Sequence, residues 1–384
     1  MNIATPRKLC TGCSACVSSC PQHCLAMVQE EDGFYYPKVI EKKACTECGI
    51  CNKVCPIQIS LNNTKYDRKI YAAYAKNNAI RERSSSGGIF SLLANEILNN
   101  RGVIYAATFD DSFSVKHTRV DRIEDIINCC GAKYAQSQLG NVYQQVAKDL
   151  NEEKEVLFSG TPCQVAGLKA FLKHDYHNLY CVDFACHGVP SPLALKGYLK
   201  YHESLVGSPV KNVNMRSKIT GWSHYNYSMV IDFQNGDRYT AKSGEDLYLK
   251  LFVGDYLNRN SCSDCRFKGI NRFSDITLAD FWGVWDVRPE IDDSRGISAV
   301  IIQSHKGDLL IKGCDMLFKI EVSAEEICKY NQSIIASSKA NKNRESVLAL
   351  AIKSDYDQIK AIYFSSSRKS RFLRFMRNKL KELS

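Results

Sequence analysis

The chain has 384 residues, of which 45% are hydrophobic and 24% charged, a composition typical of a globular protein large enough for two or three domains. No apolar run approaches the roughly 18 residues that a bilayer span requires, and the N-terminus lacks the apolar core of a secretory signal, so we expect a cytoplasmic protein. The net charge is +10, but residues 368–384 carry seven Lys or Arg and one Glu, so the body is only weakly basic and we expect no nucleic-acid partner.

Two cysteine runs near the N-terminus share one spacing. The stretches "CTGCSACVSSCP" (10–21) and "CTECGICNKVCP" (45–56) both read C-x2-C-x2-C-x3-C-P, the pattern of bacterial two-cluster ferredoxins. Three thiolates so spaced wrap around one cubane cluster, and the fourth reaches the other cluster. The sequence therefore predicts one [4Fe-4S] cluster on Cys10, Cys13, Cys16 and Cys55, and a second on Cys45, Cys48, Cys51 and Cys20. A pair of zinc knuckles is the alternative, but zinc sites usually separate two C-x2-C pairs by a longer gap.

Strand-like and helix-like segments alternate after this region, which favours an α/β body with a largely parallel core. Strands are predicted at 70–75, 102–109, 155–160, 179–186 and 297–303, helices at 87–100, 137–150, 163–173 and 192–204, and a hairpin at 227–242. The predicted organisation is a ferredoxin domain (1–60), a linker (61–69), the two parts of a mixed α/β body (70–150 and 151–320) and a helical C-terminal region (321–384).

The stretch "RSSSGGIFSLLANEIL" (83–98) predicts a Ser- and Gly-rich loop that opens an amphipathic helix. Free N–H groups of the first helical turn, with little side-chain bulk around them, favour an anion such as a dinucleotide pyrophosphate. A plain helix cap is the alternative. In a chain with iron-sulfur clusters, a flavin is the natural companion, because it exchanges hydrides and single electrons. Lys133, in "GAKYAQSQLG" (131–140), could stabilise a reduced flavin or be a surface lysine.

Four further cysteines follow predicted strands. Cys163 lies in "FSGTPCQ", Cys186 precedes His187 in "VDFACHGVPSP", and Cys262 and Cys265 form a C-x2-C pair. The carboxyl ends of strands in an α/β sheet are where sites collect, so these thiols could hold a third cluster. The alternatives are a redox dithiol, half of a zinc site, or a nucleophilic Cys163 with His187 as its base. Cys24, Cys129, Cys130, Cys181, Cys314 and Cys328 are interpreted as buried thiols.

Six motifs occur in order along residues 68–310: "SSSGGIFSLLA", "AKYAQS", "LFSGTPCQVAGL", "DFACHGVPSP", "CSDCRFKG" and "SDITLADFWG". Together they closely resemble the coenzyme F420 hydrogenase/dehydrogenase beta-subunit family, in which a fused two-cluster ferredoxin is frequent. The resemblance implies an iron-sulfur flavoprotein that passes electrons between [4Fe-4S] clusters and, through FAD, an organic hydride donor or acceptor. Some members act on the deazaflavin coenzyme, relatives reduce chlorophyll pigments or their precursors, and others accompany enzymes of polysaccharide biosynthesis.

The resemblance also implies roles for individual residues. Flavin phosphate contacts are expected at Ser85, Ser86, Gly87 and Gly88, a flavin neighbourhood at Lys133 and Ser137, and a third cluster on Cys163, Cys186, Cys262 and Cys265. His187 is a candidate proton donor, with a structural turn histidine as the alternative, and Asp280 and Trp282 are candidate supports of the site. Two departures, Ala279 before "DFWG" and Ala132 before the lysine, bear on the flavin surroundings and remove no ligand.

Three functions fit these features. The first is an iron-sulfur flavoenzyme, the second an electron-transfer subunit without its own substrate, and the third a regulatory iron-sulfur protein. A redox partner protein and a small hydride donor or acceptor are expected for the first. The tail "RKSRFLRFMRNKLKELS" (368–384) has an apolar and a basic face, which suits an anionic membrane surface or a partner subunit.

Overall fold

A computed structural model of the protein describes residues 5–59 and 66–364. The basic segment 368–384 and most of the predicted linker lie outside these ranges. The strands are β1 (Leu25–Gln29), β2 (Tyr35–Val39), β3 (Ile70–Ala75), β4 (Val103–Phe109), β5 (Val115–Val120), β6 (Val156–Ser159), β7 (Leu179–Phe184), β8 (Val210–Ser217), β9 (Ser228–Phe233), β10 (Arg238–Lys242), β11 (Ile276–Asp280), β12 (Ser298–Ile302) and β13 (Leu317–Glu321).

The described residues also form fourteen α-helices. They are α1 (Ala15–Ser18), α2 (Ile50–Lys53), α3 (Asn78–Arg83), α4 (Ile89–Asn99), α5 (Ile126–Cys129), α6 (Val142–Asn151), α7 (Pro162–Leu172), α8 (Pro192–Val206), α9 (Leu247–Val253), α10 (Val284–Val287), α11 (His305–Lys312), α12 (Ala324–Tyr330), α13 (Arg344–Ile352) and α14 (Tyr356–Ile359). A π-helix, Lys360–Phe364, follows α14. Among the described helices none combines the length and apolarity of a membrane span.

The N-terminal region is built on two short loops and one antiparallel strand pair. β1 and β2 pair from Leu25↔Val39 to Gln29↔Tyr35, and each cysteine run turns into a single helical turn, α1 or α2. Gly49 caps α2 with φ +72, a left-handed conformation that glycine adopts without steric cost. This arrangement agrees with the predicted ferredoxin-like region.

The body is organised around an eight-stranded mixed sheet with the order β13-β3-β12-β11-β7-β6-β4-β5. The predicted parallel core is confirmed only at the centre, where β4, β6, β7 and β11 run parallel. The outer strands are antiparallel. A parallel neighbour needs a crossover of a dozen or more residues, which α7 supplies between β6 and β7, whereas β5 follows β4 through a tight turn. A separate three-stranded sheet, β10-β9-β8, contains the predicted hairpin.

Among the predicted helices, α6 differs most from its predicted start. It begins at Val142, whereas the sequence predicted a start at residue 137. The backbone of Gln138 explains the difference, because its N–H donates to Val115 O (2.9 Å) and its carbonyl accepts from His117 N–H (2.9 Å). These bonds extend β5 sideways and hold 137–138 outside any helix. The C-terminal region is helical after β13 ends at Glu321, as predicted for the described part.

The largest apolar core joins the N-terminal region to the body. Phe34 and Tyr36, on and beside β2, are buried in the same cluster as residues of β8, β9, α8 and α13. Within this cluster α8 and α13 approach closely at Gly197, where an added Cβ would overlap the carbonyl oxygen of Ala351. The close approach of these two helices therefore depends on a glycine at this position.

We expect Gly197→Ala to lower the free energy of unfolding by about 1–3 kcal/mol, because the methyl group would force α8 and α13 apart. Urea unfolding followed by circular dichroism measures this effect. Gly244→Ala is the matched control, since a Cβ there meets no atom within 4 Å and should change stability by less than about 1 kcal/mol. Equal stability of the two variants would contradict the close packing described at Gly197.

Candidate functional site

The first predicted thiol set surrounds an internal cavity of the N-terminal region. Cys10, Cys13, Cys16 and Cys55 all line this space, together with Cys51. Burial, followed by the charges of Cys10 and Cys55, raises the pKa of Cys16 to about 12. Several thiolates at one buried site repel one another, so each thiol is harder to ionise. A bound cationic centre would offset this repulsion and favour the thiolates. The structure therefore brings together the four residues that the spacing predicts as ligands of the first cluster.

The second predicted set lies farther from the body. Cys20, Cys45 and Cys51 pack into one small apolar cluster with Cys24, and Cys48 is exposed. Cys24 is buried, as predicted, and its Sγ lies 3.4 Å from Cys20 Sγ. Among the described residues no three Cys, His, Asp or Glu converge on one point as in a mononuclear metal site.

Three separate elements position the four body thiols. Cys163 is the second residue of α7, whose first turn is fixed by the Thr161 N–H donating to Gln164 Oε1 (2.9 Å). Cys186 follows β7, while Cys262 lies in the 3-10 turn Asn260–Asp264 and Cys265 directly after it. The carboxyl ends of the adjacent parallel strands β6 and β7 thus bring Cys163 and Cys186 to the same edge of the sheet.

The body thiols are close enough to act on one another electrostatically. Burial raises the pKa values of Cys163, Cys186 and Cys262 to about 12 each, and every one of them is raised further by two others of the set, Cys265 included. A raised pKa is the opposite of what an activated nucleophile needs. His187 Nε2 lies 2.8 Å from Asp255 Oδ1, where the imidazole faces a carboxylate. The surroundings therefore favour a ligand role for Cys163 over the nucleophile alternative.

The first ferredoxin set and the body set share packing. Cys55, Cys163 and Cys265 belong to one apolar cluster built around Ile57, Ala166 and Phe267. A Cβ added to Gly167 of α7 would lie 3.0 Å from Cys13 Sγ, so the helix that begins beside Cys163 passes directly over Cys13. The first thiol set is thus the one that adjoins the body.

Arg259 fixes this junction. Its side chain is buried, and its Nε donates to Cys10 O (2.7 Å), Nη2 to Tyr35 O (3.0 Å) and Nη1 to Gln136 Oε1 (3.1 Å). The guanidinium also stacks over the Tyr36 ring at 4.1 Å. One side chain therefore ties the first cysteine loop, the strand pair and the body segment that carries Gln136.

A cavity of about 830 Å³ adjoins this junction and lies within the range of cofactor sites. Most of the predicted body residues line it, and so do two residues of the first cysteine loop. The predicted residues on its wall are Ser85, Ser86, Gly88, Lys133, Ser137, Cys163, Cys186, His187, Asp280 and Trp282, and the loop residues are Thr11 and Gly12. The phosphate-type loop, two of the four body thiols and the first ferredoxin loop therefore meet around one space, whereas Cys262 and Cys265 are not on its wall.

The predicted phosphate loop is held from behind by the sheet. Gly87 packs under the loop, where a Cβ would lie 2.5 Å from Ala73 O, and its N–H donates to Ser298 Oγ (3.0 Å). Lys218 Nζ donates to three carbonyl oxygens, those of Arg81 (2.7 Å), Ser86 (2.6 Å) and Arg295 (2.8 Å). Gly87 thus positions the loop, whereas Ser85, Ser86 and Gly88 face the cavity.

Lys133 lies at the cavity wall beside two cysteines. Its Nζ donates to Cys130 O (2.9 Å), and burial lowers its pKa to about 8. Cys129 and Cys130 are half-buried and line the cavity, so the expectation of buried thiols is wrong for this pair, because the wall is open there. Cys328 is also half-buried, whereas Cys181 and Cys314 are buried as predicted.

Sequence reasoning missed Arg216, which carries no motif and comes from the separate sheet. It pairs with Asp280 Oδ2 through Nη1 (2.6 Å) and lies over the rings of Trp282 (4.6 Å) and Tyr227 (4.9 Å). His117, a β5 residue on the cavity wall, was missed for the same reason. Asp280 and Trp282, the predicted supports, therefore act at least in part by holding a buried guanidinium.

Comparison with known proteins finds three matching regions. Residues 70–144 match the N-terminal domain and residues 153–327 the C-terminal domain of the coenzyme F420 hydrogenase/dehydrogenase beta subunit, and residues 9–59 match a 4Fe-4S dicluster domain. The coenzyme F420-dependent sulfite reductase of Methanocaldococcus jannaschii is 24% identical over 341 residues, which are 84% of this chain. The chain spans only 48% of that relative's length.

A solved structure also resembles the chain. It is a chain of the xenon-derivatized F420-reducing [NiFe] hydrogenase complex from Methanosarcina barkeri, with 16% sequence identity and a TM-score of 0.47. The match covers 78% of this chain and 95% of that chain.

The lowered pKa of Lys133 predicts a pH-dependent stability in the cofactor-free protein. The pKa falls from 10.5 to about 8 on burial, so between these values the unfolded chain binds a proton that the folded chain does not. The contribution of Lys133 to the free energy of unfolding should therefore increase as pH rises through this window. We expect the difference between wild type and Lys133→Met to grow in favour of wild type from pH 8 to 9.5, measured by urea unfolding. A constant difference would contradict the burial of this ammonium group.

Proposed function

Because the chain belongs to the coenzyme F420 hydrogenase/dehydrogenase beta-subunit family and carries a 4Fe-4S dicluster domain, we propose that it is an iron-sulfur flavoprotein oxidoreductase. The single observation that carries the proposal is the cavity in which the Ser- and Gly-rich loop, the body thiols Cys163 and Cys186 and the first ferredoxin loop meet. Such a meeting suits exchange between a hydride carrier in the cavity and one-electron centres in its wall.

The residues around the cavity fit FAD. The Ser85 hydroxyl and the free N–H groups at the start of α4 offer hydrogen-bond donors for a pyrophosphate, whereas the Ser86 hydroxyl already donates to Ile297 O (3.0 Å). Gly88, with φ +86, brings the backbone close without a side chain. Lys218 braces the loop by donating to Ser86 O (2.6 Å), although burial and then the charge of Arg81 lower the pKa of Lys218 to about 7. FAD, when bound, supplies the exchange between two-electron hydride transfer and one-electron transfer. Lys133 would stabilise negative charge on a reduced ring, as an ammonium group at the cavity wall can do.

The thiol sets are arranged in an order that suits conduction. The body set, Cys163, Cys186, Cys262 and Cys265, is next to the cavity and would hold a third cluster. The first ferredoxin set packs against it through Ile57 and Ala166, and the second set lies beyond, with Cys48 exposed. A redox partner protein would therefore meet the second set, at the end opposite the cavity.

His187 is the candidate proton donor on the cavity wall. Its ring packs edge-on against Phe252, with centroids 5.1 Å apart, and Asp255 Oδ1 lies 2.8 Å from Nε2. The neighbouring carboxylate would accept a hydrogen bond from this ring, so that a proton could be delivered from the cavity wall. This side chain thus combines access to the cavity with a nearby carboxylate.

The substrate we propose is a small organic hydride donor or acceptor of the deazaflavin type, or another one used in polysaccharide biosynthesis. The printed activity of the Methanocaldococcus jannaschii relative motivates the deazaflavin, but the chain spans about half of that protein and sulfite reduction is not part of the proposal. A subunit that carried electrons through clusters alone would need no cavity of about 830 Å³, so a flavoprotein is favoured over a carrier without flavin. No contact among the described residues supports a regulatory role.

Cofactor content tests the proposal directly. Protein purified without oxygen should contain about one FAD and about twelve iron atoms per chain, and Cys163→Ser should reduce the iron to about eight, since a cubane holds four. Cys328→Ser is the control, because this half-buried thiol belongs to no proposed set and should leave the iron unchanged. Protein without FAD would overturn the flavoprotein proposal, and wild type with eight irons would remove the third cluster.

The order of the thiol sets predicts separable half-reactions. Cys45→Ser should impair only the outer set, so flavin bleaching by a reduced deazaflavin should stay within about threefold of wild type. Electron delivery to a ferredoxin-type acceptor protein should fall at least tenfold, because that partner would meet the outer set. Stopped-flow absorbance at the flavin and acceptor bands measures both. Unimpaired delivery by the variant would show that electrons leave by another route.

A further inference from the structure

The tautomer of one histidine in the cavity wall is determined by its hydrogen-bond partners. His117, on β5, is buried and stacks on Phe158 with ring centroids 5.4 Å apart. Its Nε2 lies 3.0 Å from the carbonyl oxygen of Ser159, and because a carbonyl oxygen can only accept, Nε2 must carry the hydrogen. Burial lowers the pKa of His117 to about 4, so the ring is neutral near pH 7 and its Nδ1 is an acceptor.

This tautomer fixes the hydroxyl of Ser137. Ser137 Oγ lies 2.7 Å from His117 Nδ1, which has a lone pair and no hydrogen. The single hydroxyl hydrogen of Ser137 is therefore donated to the histidine, and the serine oxygen can only accept from any other group. Ser137 is half-buried and lines the cavity, so this part of the wall presents an acceptor to a ligand.

Two neighbouring backbone donors on this wall are already used. The Gly160 N–H donates to Val182 O (3.1 Å), and the Thr161 N–H donates to Gln164 Oε1 (2.9 Å). Beside His117 on the same face of the β4–β5 pair lie Ala107, its cross-strand partner, and Val115, two residues before it. Both line the cavity. An acceptor flanked by small apolar side chains suits the edge of a flat ring that carries an N–H donor.

We propose that Ser137, oriented by His117, recognises the imide N–H of a pyrimidinedione ring and so positions the isoalloxazine end of the ligand at this wall. Flavins and deazaflavins share that imide, so either FAD or a deazaflavin substrate could supply it. The inference rests on the proposed function and adds to it a residue that reads ring chemistry. Lys133, four residues away in the same segment, lines the same cavity, and an ammonium group there suits the carbonyl oxygens that flank the imide.

Binding of N3-methylated flavin tests the proposal, because the methyl group replaces the imide hydrogen. Cofactor-free full-length protein should bind FAD at least tenfold more tightly than 3-methyl-FAD by fluorescence titration, since 1.4 kcal/mol corresponds to a factor of ten. Ser137→Ala should reduce this ratio to about threefold or less. His117→Phe keeps the ring stacked on Phe158 but releases the Ser137 hydroxyl, so the ratio should fall there too. Because each ratio is taken within one variant, a general loss of affinity cancels.

Ser243→Ala is the matched control. Ser243 lines the same cavity, but its hydroxyl donates to His224 O (2.9 Å), so the ratio should stay at the wild-type value. The second arm repeats the titration with a deazaflavin and its N3-methyl derivative on FAD-loaded protein. If Ser137→Ala loses the preference for FAD over 3-methyl-FAD, FAD is the source of the imide. If it loses only the preference for the unmethylated deazaflavin, the substrate is the source.

The outcomes separate this inference from the proposed function. Wild type that binds FAD and shows no preference in either arm overturns the role of Ser137 and leaves the flavoprotein standing. A preference that Ser137→Ala retains in both arms also overturns it. Failure of wild type to bind any flavin overturns both the proposed function and this inference.

Discussion

The structure depends on a buried guanidinium that joins two parts of the chain. Arg259 donates to the carbonyl oxygens of Cys10 and Tyr35 and to the side chain of Gln136. Transferring a charged group from water to the protein interior costs several kcal/mol unless hydrogen bonds replace the lost solvation. All three acceptors must therefore be in place for the Arg259 side chain to be buried. The first cysteine loop is therefore held at a fixed distance from Gln136, whose neighbour Ser137 faces the cavity.

This junction gives the two cysteine loops different surroundings although their spacing is identical. The first loop is enclosed by α7 and by the apolar cluster around Ile57, and its residues Thr11 and Gly12 reach the cavity. The second packs within its own small cluster and leaves Cys48 exposed. The internal symmetry of the ferredoxin region is thus broken by the body, which distinguishes an inner from an outer thiol set. Packing alone therefore gives the proposed cluster sites their order relative to the cavity.

Sequence reasoning predicted the parts of the site that depend on local spacing. The two cysteine runs, the helix after Cys163 and the glycine loop before α4 follow from short motifs. The structure brings the first predicted thiol set around one space and forms the helix and the loop, whereas the ligation of the eight cysteines stays a prediction. The antiparallel outer strands could not be predicted, because strand direction depends on partners far apart in sequence. Arg216, Lys218 and Arg259 act through carbonyls and carboxylates of distant segments, so no local pattern marks them. Ser137 was expected near the flavin, but its orientation by His117 needed the fold.

The placement of Phe34 and Tyr36 has a consequence for how the protein is made. The core that encloses both residues is completed by α13 and α14, which are synthesised more than 300 residues later. Contacts so distant in sequence form slowly, and during synthesis N-terminal segments ordinarily fold first. The apolar flank of the iron-binding region therefore stays uncovered until α13 and α14 have been synthesised, so translation is a period of exposure for this surface.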